Sequence, residues 1–136
     1  MRVFLDTNVL VSAFTTRGLS ADVFRLVLLE HELITGEFNL DEFRRVLRTR
    51  MNATDALIDE AEELLREQDV IPRPAEPYPI QIRDPDDAWV LASAVAGEAD
   101  VLVTGDNDLL DLPPLEAHLR ILSPREFWEL NRREPS

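Results

Sequence analysis

Apolar positions along the chain fall into short runs, separated by longer segments with a helical period. The short runs are compact enough to be buried strands and lie at residues 2–5, 33–34, 70–71, 101–103 and 120–122. The segments between them carry apolar residues three or four positions apart. They predict a brief helical segment that begins near Asn8 or Ser12, and helices at about 20–28, 40–50, 54–67, 86–96 and 124–130. This alternation predicts a three-layer α/β/α domain with a mainly parallel central sheet.

Local signals bound these elements. Ser20 and Thr54 are candidate N-caps, and Gly97 is a stop for the preceding helix. The helix that Gly97 ends is apolar almost all round, so we expect it to pack deep against the sheet. Residues 72–79 contain four prolines and are predicted to form an extended loop. We therefore expect a single domain over residues 1–131 and a disordered tail at 132–136.

Composition narrows the class of protein. The chain has 136 residues, no cysteine and a formal net charge of −13. The missing cysteines exclude a disulfide framework and a thiolate metal site. The first apolar run ends at Asp6, too early for a signal sequence, and no apolar stretch is long enough to span a membrane. A cytoplasmic protein is expected, and its acidity argues against a general nucleic-acid binder and suits a basic partner.

Four carboxylates stand where a parallel sheet would gather them. Asp6 and Asp106 follow predicted strands, whereas Glu42 and Asp87 lie at the start of predicted helices. Open α/β sheets bind ligands beyond the carboxyl ends of their strands, and acids clustered there repel one another unless a cation lies between them. This pattern indicates metal chemistry, and hydrolysis of a phosphodiester is the reaction that it suits best.

Each acid also has a structural explanation. Asp6 and Asp84 could be helix N-caps, and Asn39 with Glu42 resembles a capping box. Asp87 and its neighbours could simply favour the positive end of a helix. Taken one at a time these explanations are the simpler ones, but together they leave unexplained why all four motifs converge on one edge of the sheet.

Basic residues are concentrated beside Glu42. All basic residues of the chain are arginines, and Arg44, Arg45 and Arg48 lie on the predicted helix that begins near residue 40. The guanidinium fork matches the geometry of phosphate, so these residues are candidates for holding a substrate phosphate. The alternative is a solvated helix face paired with nearby acids.

Four segments resemble the motifs of a known family. The sequences VFLDTNVL at residues 3–10, LDEFRRVL at 40–47, RDPDD at 83–87 and VTGDNDLL at 103–110 are similar to those of the PIN domain, the nuclease fold of many bacterial toxin–antitoxin toxins. The similarity covers nearly the whole chain. Many PIN proteins place a serine before the second-motif helix, where this chain has Glu37 and Asn39.

The resemblance implies an Mg²⁺- or Mn²⁺-dependent endoribonuclease whose catalytic acids are Asp6, Glu42, Asp87 and Asp106. Of these, Asp6 and Asp87 are the expected main metal ligands and Asp106 completes or bridges the site. Glu42 either binds a second ion or orients water. Further residues are expected to position the ligands from outside, namely Asn8, Asp84, Thr104 and Asp108. One motif offers three candidate ligands, Asp84, Asp86 and Asp87, of which we choose Asp87.

The resemblance also implies partners. It suggests an RNA substrate, a small antitoxin protein and a homodimer, with the helix at 54–67 and an exposed Phe127–Trp128 region as apolar surface for self-association. His31 and His118 lie outside the acidic motifs and are interpreted as surface residues.

Rival interpretations of the acids can be ranked. Phosphoryl-accepting receiver domains and phosphatases with an aspartate nucleophile are two alternatives. Both families use a lysine, and this chain has none. A catalytically silent PIN-like binding or regulatory module remains as the alternative to the nuclease.

Overall fold

The computed structural model describes residues 1–115 and 118–133. Within these residues the chain forms a five-stranded sheet in the order β3-β2-β1-β4-β5. Every neighbouring pair of strands is parallel. The strands are β1 Arg2–Leu5, β2 Glu32–Gly36, β3 Asp69–Ile71, β4 Val101–Val103 and β5 Arg120–Leu122. All five predicted strands are confirmed.

Helices connect the strands. They are α1 Thr7–Thr15, α2 Leu19–Glu30, α3 Glu37–Thr49, α4 Asp55–Arg66, α5 Pro85–Ala96, α6 Asn107–Leu110 and α7 Pro124–Arg133. In the part of the chain that the structure describes, no helix has the length and apolarity needed to cross a membrane.

The sheet is buried on both faces, which the alternation along β1 makes visible. Val3 and Leu5 belong to a core shared with α1, α2, α3, α4 and α7. Phe4, between them, belongs to a second core with residues of α5 and α6. Successive side chains of a strand point to opposite faces, so one strand serves both cores. The three-layer α/β/α prediction is confirmed.

Helix starts differ from the predictions at three places. Helix α1 begins at Thr7, one residue before the earlier of the two expected starts, and Asp6 is its N-cap, as the structural explanation of that acid predicted. Helix α2 begins at Leu19 after Gly18, so the N-cap expected at Ser20 is wrong. Helix α3 begins at Glu37, which puts Asn39 inside the helix. The capping-box interpretation of Asn39 and Glu42 is therefore wrong, because Gly36 and not Asn39 is the N-cap. The Asn39 side chain is left free to contact another segment.

The C-terminal region also differs from expectation. Phe127 is fully buried and Trp128 packs against the same core, so the expected exposed Phe127–Trp128 region is wrong. Helix α7 is strongly amphipathic, and its apolar face lies on α2 and β5. The helix continues through Arg133, and residues 134–136 of the expected tail lie outside the described residues.

Arg2 ties together the edge of the sheet opposite the acids. Its guanidinium donates to Glu32 Oε2 and Asp69 Oδ2, both at 2.8 Å, and its Nε donates to the carbonyl of Gly97 at 2.8 Å. One side chain thereby joins β1, β2, β3 and the end of α5.

We expect Arg2→Met to lower the free energy of unfolding by about 1 kcal/mol, since both carboxylates that it releases are more than half exposed and return to water. Urea denaturation measures this change. Arg25→Met is the control, because Arg25 is largely exposed and lies 3.5 Å from Asp22 on the same helix. Equal stability of the two variants would contradict the role assigned to Arg2.

Candidate active site

The strand order places a crevice at the carboxyl end of β1. From β1 the sheet continues to β2 on one side and to β4 on the other. Ligands bind at such a reversal of strand order in open α/β sheets. Asp6 follows β1 directly, and the segment from Thr104 to Asp106 follows β4. The backbone N–H of Asp6 donates to the carbonyl of Val103, which holds the two strand ends together.

Asp6 is buried among hydrogen-bond donors. Its Oδ1 accepts from the backbone N–H of Thr7 at 2.8 Å and from Asn39 Nδ2 at 3.2 Å. Its Oδ2 accepts from the Thr104 hydroxyl at 2.7 Å and from Asn8 Nδ2 at 3.4 Å. Burial raises the pKa of Asp6 to about 6, although the hydrogen bonds from Thr104 and Thr7 oppose the rise. The side chain is therefore fixed in orientation while its charge is costly.

Asp87 has the most strongly raised pKa among the acids of the site. It lies in the first turn of α5, is 6% exposed, and its Oδ2 has no hydrogen-bond partner among the described residues. Burial raises the pKa of Asp87 to about 8, and a hydrogen bond with Asp106 and the charges of Asp84 and Asp6 contribute to the rise. A buried carboxylate oxygen without a protein donor is a place where a cation, a proton or an ordered water would be stabilised.

Asp106 and Asp108 complete a cluster around Asp87. One carboxylate oxygen from each of the three acids lies within 4.8 Å of the others. Asp106 caps the short helix α6 by accepting from the N–H of Asp108 at 2.9 Å, using only Oδ1. Asp108 is also paired with the exposed Arg83 at 3.1 Å.

Glu42 faces the same crevice from the second turn of α3. Its side chain is 26% exposed and lies 3.6 Å from the guanidinium of Arg45. Asp6, Glu42, Asp87 and Asp106 all line one cleft of about 460 Å³, together with Asp84 and Asp86. The structure thus brings the four predicted acids into a single cavity. Asp84 caps α5 through the N–H of Asp86 and stands at the cleft wall.

These groups fit a divalent cation. The donors are all oxygens, which hard cations such as Mg²⁺ and Mn²⁺ prefer. The unpartnered Oδ2 of Asp87, next to the carboxylates of Asp106 and Asp108, is a position that positive charge would stabilise. Asp6 is close enough for its charge to raise the pKa of Asp87, although it is not one of the three clustered acids. Asp108 belongs to the cluster itself, so its carboxylate is placed to bind the cation directly as well as to position another ligand.

Thr104 and Asn8 connect the acids. The Thr104 hydroxyl donates to Asp6 and accepts from the N–H of Asp106 at 3.1 Å. Asn8 Oδ1 accepts from the N–H of Gly105 at 3.1 Å. The loop after β4 is therefore held against the start of α1, and movement of either would displace the acids.

Asn39 is the residue of the candidate site that sequence reasoning missed. It is fully buried and donates through Nδ2 to Asp6 and, at 3.0 Å, to the Thr7 hydroxyl. A Cβ atom at Gly36 would come within 3.2 Å of Asn39 Oδ1 and of the Ser93 hydroxyl, so a larger residue there would have to displace these side chains by a few tenths of an ångström. An asparagine between apolar residues just after a strand-ending glycine was the available signal.

The predicted arginine patch divides into two groups. Arg44 is paired with Asp59 and Glu62, and Arg48 with Asp55, all on or at the start of α4. Arg45 instead lines the cleft, as does Arg50. Arg44 and Arg48 would have to leave their partners before they could hold a phosphate.

Comparison with known proteins identifies the scaffold. The sequence model of the PIN domain family matches residues 2–108. VapBC2 from Rickettsia felis, solved bound to a DNA fragment from its promoter, is similar with a TM-score of 0.63 at 16% identity over 90% of this chain and 98% of that one. The Mycobacterium tuberculosis toxin VapC20, described as cleaving the sarcin–ricin loop, has a TM-score of 0.58 at 12% identity over 83% and 98%.

VapBC-1 from nontypeable Haemophilus influenzae has a TM-score of 0.59 at 18% identity over 92% of this chain and 99% of that one. At these identities the three structures establish a shared fold. A search of curated protein sequences finds no match.

We expect the metal-free protein to lose stability as pH rises. The folded-state pKa values of Asp6 and Asp87 lie above the ordinary value of 3.8, so the native state holds more protons than the unfolded state between about pH 4 and pH 8. Stability must therefore fall with pH across this window, by up to about 4 kcal/mol between pH 5.5 and 8.5. Calorimetry in EDTA measures the slope.

Asp87→Asn should flatten that slope and melt above the parent at pH 8.5. Asp86→Asn is the matched control, because Asp86 is exposed on the same helix turn and should keep the parental slope. A parent whose melting temperature does not change with pH would mean that the acids are not crowded in the folded state.

Proposed function

The chain belongs to the PIN domain family, and we propose that within it the protein is a metal-dependent endoribonuclease that hydrolyses phosphodiester bonds of RNA. The observation that carries the proposal is the unpartnered, buried carboxylate oxygen of Asp87 beside Asp106 in an open acidic cleft. A purely structural cluster would be expected to satisfy that oxygen with a donor, because leaving it bare destabilises the fold.

We assign Asp87, Asp106 and Asp6 to hold Mg²⁺ or Mn²⁺, with Asp108 beside them. When bound, such an ion stabilises charge on phosphoryl oxygens and favours deprotonation of water. Asn39 and Thr104 hold Asp6 through hydrogen bonds to its two different oxygens, so its carboxylate cannot rotate. Glu42, which lines the same cleft with about a quarter of its side chain exposed, orients the attacking water by accepting a hydrogen bond from it.

We further propose that the protein is the toxin of a toxin–antitoxin pair. One similar structure is described as a cleaving toxin, and others carry paired VapBC names. The net charge of −13 suits a small basic antitoxin as partner. A homodimer and a cytoplasmic location belong to the same proposal. The exposed Leu57 on α4, with just over half of its surface accessible, offers apolar area for association.

The direct test is cleavage of single-stranded RNA. Purified protein should cut in Mg²⁺ or Mn²⁺ and stop in EDTA. Asp87→Asn should lower the rate by at least about a hundredfold. Loss of a residue that only positions a metal ligand costs about tenfold to a hundredfold, and Asp87 is proposed to be a ligand itself. Asp84→Asn and Asp86→Asn should retain more activity, because Asp84 is occupied as a helix cap and Asp86 is exposed.

The double variant Asp6→Asn, Asp87→Asn controls for contamination. Cutting by this variant at the parental rate would assign the activity to another nuclease and reject the proposal. A larger decrease in rate for Asp84→Asn than for Asp87→Asn would move the metal ligand to Asp84.

Among the three predicted phosphate-binding arginines, Arg45 is the one positioned to act. It is two-thirds exposed and faces the cleft, and its only partner among the described residues is Glu42 at 3.6 Å, longer than a strong ion pair. Arg44 and Arg48 are held at 2.6–3.0 Å by acids of α4.

We expect Arg45→Gln to weaken the salt dependence of RNA binding. In an Asp87→Asn background, which prevents cleavage, the slope of log affinity against log salt should flatten by about 0.7 for each phosphate of single-stranded RNA that the arginine no longer neutralises. Arg48→Gln is the matched control on the same helix and should leave the slope unchanged. Equal slopes for the parent and Arg45→Gln would mean that Arg45 does not bind phosphate and is only part of a solvated helix face.

A further inference from the structure

Part of the cleft lining consists of hydroxyl groups. Helix α1 and the residue after it contribute three, and α3 contributes one near its C-terminus. Together they form what we call the hydroxyl rim: Ser12, Thr15, Thr16 and Thr49. Arg45 and Arg50 line the same cleft, and both lie within four residues of Thr49 on the chain. The lining therefore carries hydroxyl groups and arginines as well as the acids.

The hydroxyl protons of the rim are already used. Thr15 donates to the carbonyl of Val11 at 2.7 Å, Thr16 to that of Ser12 at 2.8 Å, and Thr49 to that of Arg45 at 2.7 Å. The Ser12 and Thr16 hydroxyls lie 3.3 Å apart. Because the Thr16 proton is committed to a carbonyl, Ser12 must be the donor between them.

The rim therefore presents hydrogen-bond acceptors to the cleft. A hydroxyl that has given its proton to the backbone keeps lone pairs on the other side. Such groups repel phosphate oxygens, which are acceptors themselves, and select ligands that donate. The neighbouring guanidinium groups of Arg45 and Arg50 supply donors for phosphate and disfavour a second cationic group in the same place.

Acceptors and guanidinium donors side by side match a ribose–phosphate chain. Its phosphates are acceptors, and its 2′-hydroxyl is the donor that distinguishes RNA from DNA. We propose that the hydroxyl rim recognises ribose 2′-hydroxyl groups of nucleotides next to the scissile phosphate and so selects RNA over single-stranded DNA. This proposal rests on the proposed ribonuclease function and names the residues that set its substrate class.

The test measures binding rather than cleavage, so that it is independent of the metal chemistry. In the Asp87→Asn background with Mg²⁺, fluorescence anisotropy compares an eight-nucleotide RNA with DNA of the same sequence. Ser12→Ala, Thr16→Val and Thr49→Val each remove a hydroxyl at small change in volume. Each hydrogen bond that a variant removes should reduce the preference for RNA by about threefold to tenfold, the usual range for a neutral hydrogen bond.

The decrease in affinity should fall on RNA alone, because DNA has no 2′-hydroxyl. Oligonucleotides with a single 2′-deoxy position should bind the parent more weakly by the same factor and show no further decrease with the matching variant, which is a double-mutant cycle between protein and nucleic acid. Ser20→Ala, on α2 outside the cleft lining, is the control, and thermal melting confirms that the variants are folded.

The outcomes separate the two proposals. An RNA preference that none of the three rim variants changes, or equal decreases in affinity for RNA and DNA, would overturn the rim as a ribose reader even if the protein cuts RNA. A cleavage-inactive parent that still prefers RNA through these residues would reject the nuclease proposal and leave the rim in place.

Discussion

Burial of the Asp6 carboxylate is the constraint on which the rest of the site depends. A carboxylate at the end of a central strand loses its hydration, and that loss is tolerated only when donors replace the water. Here the replacements come from Thr7, Asn39 and Thr104, which lie on α1, on α3 and after β4. The backbone of Asp6 also bonds to β4 and accepts the first hydrogen bonds of α1. One residue thus fixes the mutual positions of four elements, and two of the other acids, Glu42 and Asp106, are placed by those elements.

Helix capping and the proposed metal binding are compatible roles for the same acid. Asp106 uses Oδ1 to cap α6, which leaves its other oxygen for the cluster with Asp87. Helix N-termini supply partial positive charge, which helps to hold acids near one another. That charge is insufficient for Asp87, whose buried oxygen remains without a donor among the described residues and whose pKa rises to about 8. The oxygen without a donor and the raised pKa of Asp87 distinguish this cluster from a set of ordinary helix caps.

Local pattern was sufficient for the sheet and for α5, because a run of apolar residues between a Pro-containing start and a glycine stop has few alternatives. It failed at Asn39, where the spacing to Glu42 matched a capping box while the actual partner, Asp6, lies 33 residues away. It also left Arg44 and Arg48 unresolved, since their partners are on α4 or at its start and only the packing of two helices shows this. Contacts between segments that are far apart in the sequence cannot be predicted from the local pattern of a single sequence.

Arginines in the cleft reconcile an acidic chain with the proposed RNA substrate. A net charge of −13 repels a polyanion at long range, so attraction has to be local. Arg45 and Arg50 in the cleft lining supply it, while the acids of the same cleft remain repulsive until their charge is reduced. A cation held by Asp87 and Asp106 would convert that repulsion into attraction and thereby raise the affinity for RNA. By linkage, bound RNA would raise the affinity for the cation by the same factor, because coupling between two ligands is reciprocal. An acidic surface then makes nucleic-acid binding conditional on the cation, and a nuclease with this field would bind RNA tightly only in the state that can cut it.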